Sequence, residues 1–301
     1  MARASRYNPH LMNKTLVGIL CGLGAASIWG GMYVVSKVVL DIIPPFSLVS
    51  LRLLLGALTL AIVLTMRSFP KITQKQFWQV IGVGFVGYGI SLSLQFLGTK
   101  LSTAANGSLV TSATPAFVLI FAWMLLKEKI TSLRLIALLL ATLGVIAVID
   151  PRSAQLNPDL FLGNLLLLGA ALTWALYSVL VRKATQDLEV LPFSLIAFLG
   201  GLPVSIPAGA WELKTIGVGE ISPGVVGGVL FLGIISTALA MVLWNNAFAL
   251  IDANLASLTF FAQPVVGTLL GWLFLGEEIT SLFLVGGFLI GAGLIISSRE
   301  R

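Results

Sequence analysis

The sequence predicts an all-α integral membrane protein, and three observations lead to this fold class. Apolar residues make up 57% of the 301 residues and charged residues only 10%, whereas an ordinary soluble domain has about 25% charged residues. Apolar runs of about 18 or more residues recur along the chain, and each could cross a bilayer as a helix. A pattern of five such helices also occurs twice. A soluble enzyme, a nucleic-acid-binding module, a disulfide scaffold and a disordered chain are thereby excluded.

Polar breaks that contain turn-forming residues divide the chain into ten predicted membrane-spanning helices. They are expected at residues 15–40, 45–66, 76–98, 103–126, 132–149, 161–183, 190–210, 223–250, 254–275 and 281–298. The breaks carry pairs such as Pro44-Pro45 and Asp150-Pro151, which end helices. Little chain remains between the spans, so the sequence predicts no separate soluble domain.

The distribution of Lys and Arg predicts how these helices are oriented. Of the 18 bases, thirteen fall in loops on one side of the predicted membrane, four fall on the other side and Arg52 lies within a span. Because basic loops stay in the cytoplasm, we expect both termini, including a tail formed by residues 1–14, to be cytoplasmic. The expected location is the plasma (inner) membrane. The net charge of +6 therefore reflects orientation and indicates no nucleic-acid partner.

The repeated five-helix pattern predicts two related halves, residues 15–150 and 151–301. In the fourth and fifth spans eight residues recur 149 positions later, and in the first and sixth spans five residues recur 145 positions later. The most distinctive recurring residues are Trp29, Pro115, Trp123 and Glu128, which return as Trp174, Pro264, Trp272 and Glu277. Since five is odd, the second half must enter the membrane from the opposite face, and the two halves form an inverted repeat.

An inverted repeat has a mechanistic use. Two similar halves related by an axis in the membrane plane can exchange conformations, so that one site near the midplane opens alternately to each side. The sequence therefore predicts a secondary transporter with a central cavity bounded by the first, third, fourth, sixth, eighth and ninth spans. The expected partners are the lipid bilayer and a small-molecule substrate.

These features resemble the drug/metabolite transporter superfamily and, within it, the EamA family, in which each five-helix unit has a mid-helix Pro and a Glu at the end of that helix. The residues that carry the resemblance are Thr114-Pro115 with Glu128, Gln263-Pro264 with Glu277, and the small-residue and Trp segments 25–29 and 170–174. The resemblance covers roughly residues 15–298. It implies an exporter or exchanger of small metabolites, often amino acids, and not an enzyme.

Aromatic and amide side chains at mid-depth are the candidates for the substrate cavity. Amides in hydrocarbon are costly unless they are paired or hydrated, and an aromatic wall with a few amides would suit a small amphipathic solute. The candidates are Trp29, Tyr33, Tyr88, Gln95, Asn106, Trp174, Tyr177, Trp244, Asn245, Asn246 and Gln263. For any single Trp or Tyr, the alternative is packing or anchoring at the membrane surface. Asn245 and Asn246 are favoured because adjacent helix positions cannot both hide against one neighbour.

Arg52 is the only base well inside a predicted span, about seven residues or roughly 10 Å beyond Pro45. A charged residue inside the membrane predicts a functional role, so Arg52 could attract a carboxylate or phosphate group of the substrate. The alternatives are that its head group reaches the outer interface or binds carbonyls at a helix end. The position that corresponds to Arg52 in the second half is Leu199, so this charge belongs to one half only.

Two prolines and two glutamates are candidates for hinges or gates. Pro115 and Pro264 would each free the carbonyl four residues earlier, and a freed carbonyl at mid-depth needs a partner. The alternative is a kink that only shapes packing. Glu128 and Glu277 each precede Ile-Thr-Ser, where the Thr could cap the next helix. We expect a structural role for both glutamates, with gating as the alternative.

Missing residue types limit the mechanism. The single His10 lies in the tail and the single Cys21 permits no cysteine cluster, so no metal site and no cofactor is expected. All twelve acids fall in loops or near predicted helix ends. We therefore expect facilitated export or exchange without a buried carboxylate as proton carrier, although Glu128, Glu277 or the membrane potential could still couple transport.

Two other function classes fit the sequence less well. A channel or facilitative pore for small solutes needs a continuous polar path, and no repeated filter-like glycine motif occurs. A membrane enzyme that acts on lipid or polyprenyl groups would need an Asp-rich pair, a buried His or a Cys nucleophile, which the sequence lacks. The sequence thus favours a transporter of small metabolites, with amino acids ahead of other solutes.

Overall fold

The computed structural model describes residues 9–66, 72–102, 107, 110–149, 160–275 and 281–299, and within these ranges the chain is helical with no strand. The helices are α1 (Pro9–Leu40), α2 (Pro45–Thr65), α3 (Gln74–Leu101), α4 (Thr114–Leu126), α5 (Ser132–Ile149), α6 (Phe161–Ala184), α7 (Val190–Thr215), α8 (Pro223–Leu250), α9 (253–275) and α10 (Ser281–Arg299). The predicted all-α fold is confirmed.

Six helices are long and apolar enough to cross a membrane. They are α2, α3, α6, α7, α8 and the part of α1 from Lys14 to Leu40. Three shorter apolar helices are Thr114–Leu126, Ser132–Ala147 and Leu284–Arg299. These helices are those of a multi-pass membrane protein.

The ends of the helices follow from capping residues in the sequence. Thr73 and Gln76 form a capping box at the start of α3: the Gln76 N–H donates to Thr73 Oγ1 (3.2 Å), and the Thr73 N–H donates to Gln76 Oε1 (3.0 Å). Helix α7 runs five residues beyond its predicted end and stops where Gly217 adopts a positive φ of 79°. The Gly217 N–H then bonds to the Glu212 carbonyl (3.2 Å), as in a glycine-terminated helix.

Helices α3 and α8 share a feature that the sequence did not predict. Each is 28 residues long, and each contains a π-helical segment, Phe85–Ser91 in α3 and Phe231–Leu239 in α8. A π segment holds an extra residue in its turn and occurs most often at functional sites. Both segments lie next to the candidate cavity residues described below.

Pro115 and Pro264 lie beside breaks in α4 and α9, which corrects the expectation of a proline in the middle of a continuous helix. Residues 112–113 form a turn, and Pro115 lies in the first turn of α4. In α9 a short 3-10 segment, Thr259–Phe261, precedes the helix that contains Pro264. A proline in the first turn of a helix costs no hydrogen bond because its missing N–H would have no partner there.

The two sets of five helices pack against each other in a reciprocal pattern. Helix α2 lies against α7, and α5 lies against α10. Helix α1 packs on α8 and α9, and in the same way α6 packs on α3 and α4. The first helix of each set therefore packs on the third and fourth helices of the other set. The two second helices pack on each other, and so do the two fifth helices. An isologous interface between two copies has this reciprocity.

The contact between α5 and α10 repeats this reciprocity at the level of single residues. A Cβ added to Gly144 would lie 2.7 Å from the Gly286 carbonyl oxygen, and one added to Gly293 would lie 2.6 Å from the Ala137 carbonyl oxygen. Gly144 and Gly293 are 149 positions apart, as are Ala137 and Gly286. Only glycine allows the two backbones to approach this closely.

Candidate functional site

A small cavity lies between α1, α3, α4, α6, α8 and α9. Its apolar and aromatic lining residues are Trp29, Met32, Leu92, Ala170, Ala171, Trp174, Met241 and Phe260. Its polar lining residues are Ser91, Gln95, Thr111, Thr114 and Gln263. The six helices that contribute are those around which the sequence analysis drew the central cavity. None of these lining residues is charged.

One wall of the cavity is tied together by hydrogen bonds that centre on Tyr33. Gln95 Nε2 of α3 donates to the Tyr33 hydroxyl (2.8 Å), and that hydroxyl is 2.9 Å from Thr111 Oγ1. Because Thr111 uses its own proton on the Gly107 carbonyl (2.6 Å), the Tyr33 proton points to Thr111. Tyr33 therefore orients Gln95 and Thr111, which both face the cavity.

Two buried oxygens at the cavity have no hydrogen-bond partner among the residues that the structure describes. They are Gln263 Oε1 and Thr114 Oγ1, on side chains that are 1% and 0% exposed. The Gln263 Nε2 atom reaches the Trp29 carbonyl at 3.5 Å. Leaving a buried polar atom unpaired costs about 1–3 kcal/mol, and a bound solute or water would remove that cost. These atoms are therefore suited to hold a solute.

The tryptophans form an aromatic cluster within the bundle. The ring of Trp29 lies 5.6 Å from Trp174 in a T-shaped contact and 5.3 Å from Trp244. The indole N–H of Trp29 donates to the Ser236 carbonyl (3.0 Å), and that of Trp244 donates to Ser178 Oγ (3.0 Å). All three tryptophans are buried, so anchoring at the membrane surface does not describe them.

Tyr88, Tyr177 and Asn245 lie behind the aromatic cluster and are not part of the cavity lining. The Tyr88 hydroxyl is hydrogen-bonded to the Tyr177 hydroxyl, which donates to Asn245 Oδ1 (2.8 Å). Asn245 Nδ2 in turn donates to Ser194 Oγ (2.9 Å). Asn245, which the sequence favoured for substrate contact, thus has both ends of its amide hydrogen-bonded within a network that joins α3, α6, α7 and α8.

Asn246 also differs from the prediction. Its Nδ2 atom donates to the Val242 carbonyl one turn earlier in the same helix (2.8 Å), and it does not line the cavity. Adjacent helix positions point about 100° apart, and here neither Asn245 nor Asn246 points toward the cavity. Asn106 lies outside the described residues.

Arg52 is 0% exposed, so its head group does not reach the membrane surface. Its Nε donates to Thr237 Oγ1 (2.8 Å) and its Nη2 to Ser236 Oγ (3.3 Å), both in the π segment of α8. Nη1 lies 3.7 Å from Met32 Sδ, and the guanidinium lies 4.7 Å from the centre of the Phe96 ring. Within the described ranges it forms no ion pair.

Glu128 caps the start of α9 from the connection between α4 and α5. Its carboxylate accepts the Ala253 N–H (2.9 Å) and Asn254 Nδ2 (2.6 Å). Arg134 lies 3.3 Å from Glu128 and 3.4 Å from Asp252, which binds these groups into one cluster. Glu277, the corresponding residue of the second half, lies outside the described residues.

Thr131 caps α5, as the sequence analysis expected for the threonine after Glu128. Its Oγ1 atom accepts the Arg134 N–H at 3.3 Å. The segment Glu128–Ser132 therefore caps two helices: the Glu128 carboxylate caps α9 and the Thr131 hydroxyl caps α5.

Glu212 is a buried carboxylate that the predicted spans placed in a loop. Helix α7 extends past it, and the side chain is 4% exposed. Its Oε2 atom accepts the Ser47 N–H (2.9 Å) and lies 3.2 Å from Ser47 Oγ. Since Pro44 provides no side-chain cap for α2, Glu212 supplies the missing acceptor from another helix.

Lys37 and Arg182, which correspond in the two halves of the sequence, make the same kind of contact. Lys37 Nζ donates to the Thr99 and Lys100 carbonyls at the end of α3 (3.2 and 3.4 Å). Arg182 Nη1 donates to the Phe248 and Ala249 carbonyls at the end of α8 (3.1 and 2.7 Å). These acceptors are again 149 positions apart, and cations suit the negative end of a helix.

Comparison with known proteins assigns this arrangement to a family. Residues 16–149 and 161–299 each match the EamA-like transporter family. The chain belongs to the EamA-like transporter family. One match spans α1–α5 and the other spans α6–α10. The resemblance drawn from the sequence is confirmed, and so is the expectation that the protein is a transporter and not an enzyme, because the EamA-like family is one of transporters.

Relatives of this EamA-like protein match it over nearly its whole length. It is 25% identical over 293 residues to the uncharacterized transporter YetK of Bacillus subtilis, an alignment that covers 96% of this chain and 89% of YetK. It is 26% identical over 274 residues to an uncharacterized transporter of Archaeoglobus fulgidus, with 91% and 95% covered. One crystal structure matches with a TM-score of 0.77 at 20% identity, over 94% and 96% of the two chains, and has the same fold.

Several residues at the EamA-like site were absent from the sequence candidates. Met32 and Met241 line the cavity, and Ser236 and Thr237 hold Arg52. Methionine and hydroxyl side chains are common in apolar helices, so their type alone carries no signal. Within the described ranges, no group of His, Cys, Asp and Glu could hold a metal ion.

Proposed function

We propose that the protein is a secondary transporter that exports or exchanges a small metabolite, such as an amino acid, across the plasma membrane by alternating access. The cavity carries this proposal, since it is uncharged, partly aromatic and supplied with unpaired polar atoms. In this conformation the free space of the cavity is about the size of one water molecule. A solute therefore binds only after the surrounding side chains and helices move apart, as alternating access requires.

Alternating access requires two halves that can exchange conformations, and we infer that residues 15–150 and 151–301 are inverted repeats with ten membrane spans. The reciprocal helix contacts support this inference, as do the π segments in α3 and α8. The paired contacts of Lys37 and Arg182 support it further. An inverted repeat places the cavity between equivalent helices of the two halves.

A gate is expected where the cavity is closed. The first residues of α9 are buried, and Glu128 and Arg134 bind them to the connection between α4 and α5. With both termini in the cytoplasm, this closure lies on the cytoplasmic side. Pro115 and Pro264 follow breaks in α4 and α9, so we assign them the role of hinges when this side opens.

The same closure argues against a channel. A channel needs a polar path through the whole membrane, whereas buried side chains and a cluster of charged groups separate the cavity from one end of the bundle. Glu212 is engaged as the cap of α2, so it does not change the expectation of transport without a buried carboxylate as proton carrier.

Counterflow in proteoliposomes tests the proposal. Vesicles that contain the purified protein are loaded in turn with unlabelled amino acids, nucleosides, sugars or aromatic drugs, and uptake of the labelled solute is measured. We expect saturable uptake that depends on the solute inside. Ala171→Trp should fill the cavity and abolish this exchange, whereas Leu172→Trp, on the adjacent exposed position, should retain it. Flux that rises linearly with concentration and ignores the internal solute would contradict a transporter.

A further inference from the structure

We propose that Arg52 is a recessed binding site for an anionic group, a carboxylate or a phosphate, on the transported solute, and that the Met32 side chain covers it in the empty protein. The inference rests on the proposed transport function and specifies the charge that the solute must carry. It assigns Arg52 to substrate selection and gives Met32 the role of a movable cover between the cavity and the guanidinium.

Arg52 has no counter-ion among the described residues. A guanidinium has five N–H donors, and the neutral hydroxyls of Ser236 and Thr237 accept from two of its nitrogens. The third contact is a thioether sulfur, which is a weak acceptor. A charge buried in the membrane without a counter-ion is costly, and none of the described acidic residues pairs with it.

A purely structural role does not account for the positive charge. The contacts of Arg52 join α2 to the π segment of α8, and a neutral donor such as glutamine could make hydrogen bonds to the same hydroxyls. The corresponding residue of the second half, Leu199, is apolar and 39% exposed, so the fold of the repeat does not need a cation there. An anion that arrives with the solute would explain why this position is charged.

Met32 lies between the cavity and Arg52. Met32 is both a lining residue of the cavity and the neighbour of Arg52 Nη1. A methionine side chain has three rotatable bonds and adapts to irregular space. A change of rotamer at Met32 would therefore open Nη1 toward the cavity.

The cavity lining contains no charged residue that would compete with Arg52. Its polar lining consists of hydroxyl and amide groups, among which Gln263 Oε1 and Thr114 Oγ1 are unpaired. Charges act over longer distances in a medium of low dielectric constant, so Arg52 makes this uncharged cavity positive. A solute with a carboxylate or a phosphate should be preferred to the same solute without one.

The experiment compares three probes of similar shape: 3-phenylpropionate, its neutral amide 3-phenylpropionamide, and 2-phenylethyl phosphate. Their binding to the detergent-purified full chain is measured by the shift of the thermal unfolding midpoint with probe concentration. We expect at least one anionic probe to bind about tenfold more tightly than the amide, as a charge-assisted hydrogen bond predicts. Whether the carboxylate or the phosphate binds better identifies the anionic group.

Arg52→Gln should abolish this preference and leave binding of the amide within about twofold, because glutamine keeps hydrogen-bond donors for Ser236 and Thr237. If that variant does not fold, Met32→Ala provides an independent test, since uncovering Arg52 should strengthen binding of the anionic probes alone. Met241→Ala is the matched control. It removes the other lining methionine, whereas the sulfur contact of Arg52 is to Met32, and it should change the binding of all three probes by the same factor.

Equal binding of the amide and both anions to the unmodified protein would overturn the proposal, as would an Arg52→Gln protein that keeps the preference. Counterflow separates this failure from failure of the transport function. Solute exchange without any preference for an anion contradicts only the role of Arg52. A preference for anions in a protein that exchanges no solute contradicts the transport function and leaves the anion site standing.

Discussion

At the scale of single residues, some polar side chains of the bundle are fully hydrogen-bonded to other residues, whereas others keep an atom without a partner that a solute could bind. Asn245 has partners on both ends of its amide, and Glu212 caps α2. Gln263 and Thr114 instead keep an oxygen unpaired beside a cavity. A bound water or solute that completes their hydrogen bonds would account for these unpaired oxygens.

This contrast predicts opposite effects on stability and on transport. Gln263→Leu removes a buried amide whose oxygen is unpaired. The desolvation cost of that oxygen, about 1–3 kcal/mol, is removed with it, so we expect the thermal unfolding midpoint to stay constant or to rise. Counterflow of the transported solute should fall by about tenfold or more, as expected when a hydrogen bond to the solute is lost. Thr114→Val should act in the same direction. A lower midpoint with unchanged counterflow would show that the Gln263 amide serves the fold.

At the scale of helices, the same contacts recur in both halves. Lys37 and Arg182 each hold the last carbonyls of the third helix of their own half, α3 and α8. Both of these helices contain a π segment. In each helix a cation fixes the last carbonyls, and the middle of the helix holds an extra residue. Such a helix could bend at its centre while its end stays in place.

The packing of α5 on α10 predicts a difference between two glycines of the same helix. Gly293→Ala would place a Cβ 2.6 Å from the Ala137 carbonyl oxygen, so the helices must separate, and overpacking of this kind costs about 1–3 kcal/mol. Gly291→Ala is the control, because no atom lies within 4 Å of its added Cβ and alanine favours the helix. We expect a lower thermal unfolding midpoint for the first variant only. Equal midpoints would mean that the two helices are not in close contact.

At the scale of the whole molecule, the reciprocal contacts between α1–α5 and α6–α10 are those of two copies that face each other. Most packing in the described part of the bundle joins one half to the other. Neither half could bury its apolar faces alone in this arrangement. The cavity lies at their junction, so under the proposed mechanism a small change in how the halves meet would alter access from either side.

An inverted arrangement predicts that equivalent connections lie on opposite sides of the membrane. Met66 and Ile216 follow the second helix of each half and are 84% and 68% exposed. Since Cys21 is the only cysteine, Cys21→Ala provides a background in which Met66→Cys and Ile216→Cys can be labelled singly. We expect a membrane-impermeant thiol reagent applied to intact cells to modify position 216 and not position 66. Modification of both positions from the same side would refute the inverted repeat.

Much of this architecture was determined by the sequence itself. Apolar runs of membrane length predicted the helices, and the cost of polar groups in hydrocarbon predicted that Trp29, Gln95, Trp174 and Gln263 would face the interior, where they line the cavity. The family could also be recognised, because its motifs lie in continuous segments. These inferences depend on local length, residue type and periodicity, which a single chain displays without its fold.

Only the tertiary structure decided which interior residues meet the cavity and which support it. Tyr88, Tyr177 and Asn245 are aromatic or amide residues, as several lining residues are, yet they bond to one another and to Ser194 across four helices. Met32 and Arg52 acquire their relation because α1, α2 and α8 meet at one point. Whether a side chain faces the cavity depends on how its helix is rotated about its own axis. That rotation is set by packing against helices far away in the chain, and the sequence does not record this packing directly.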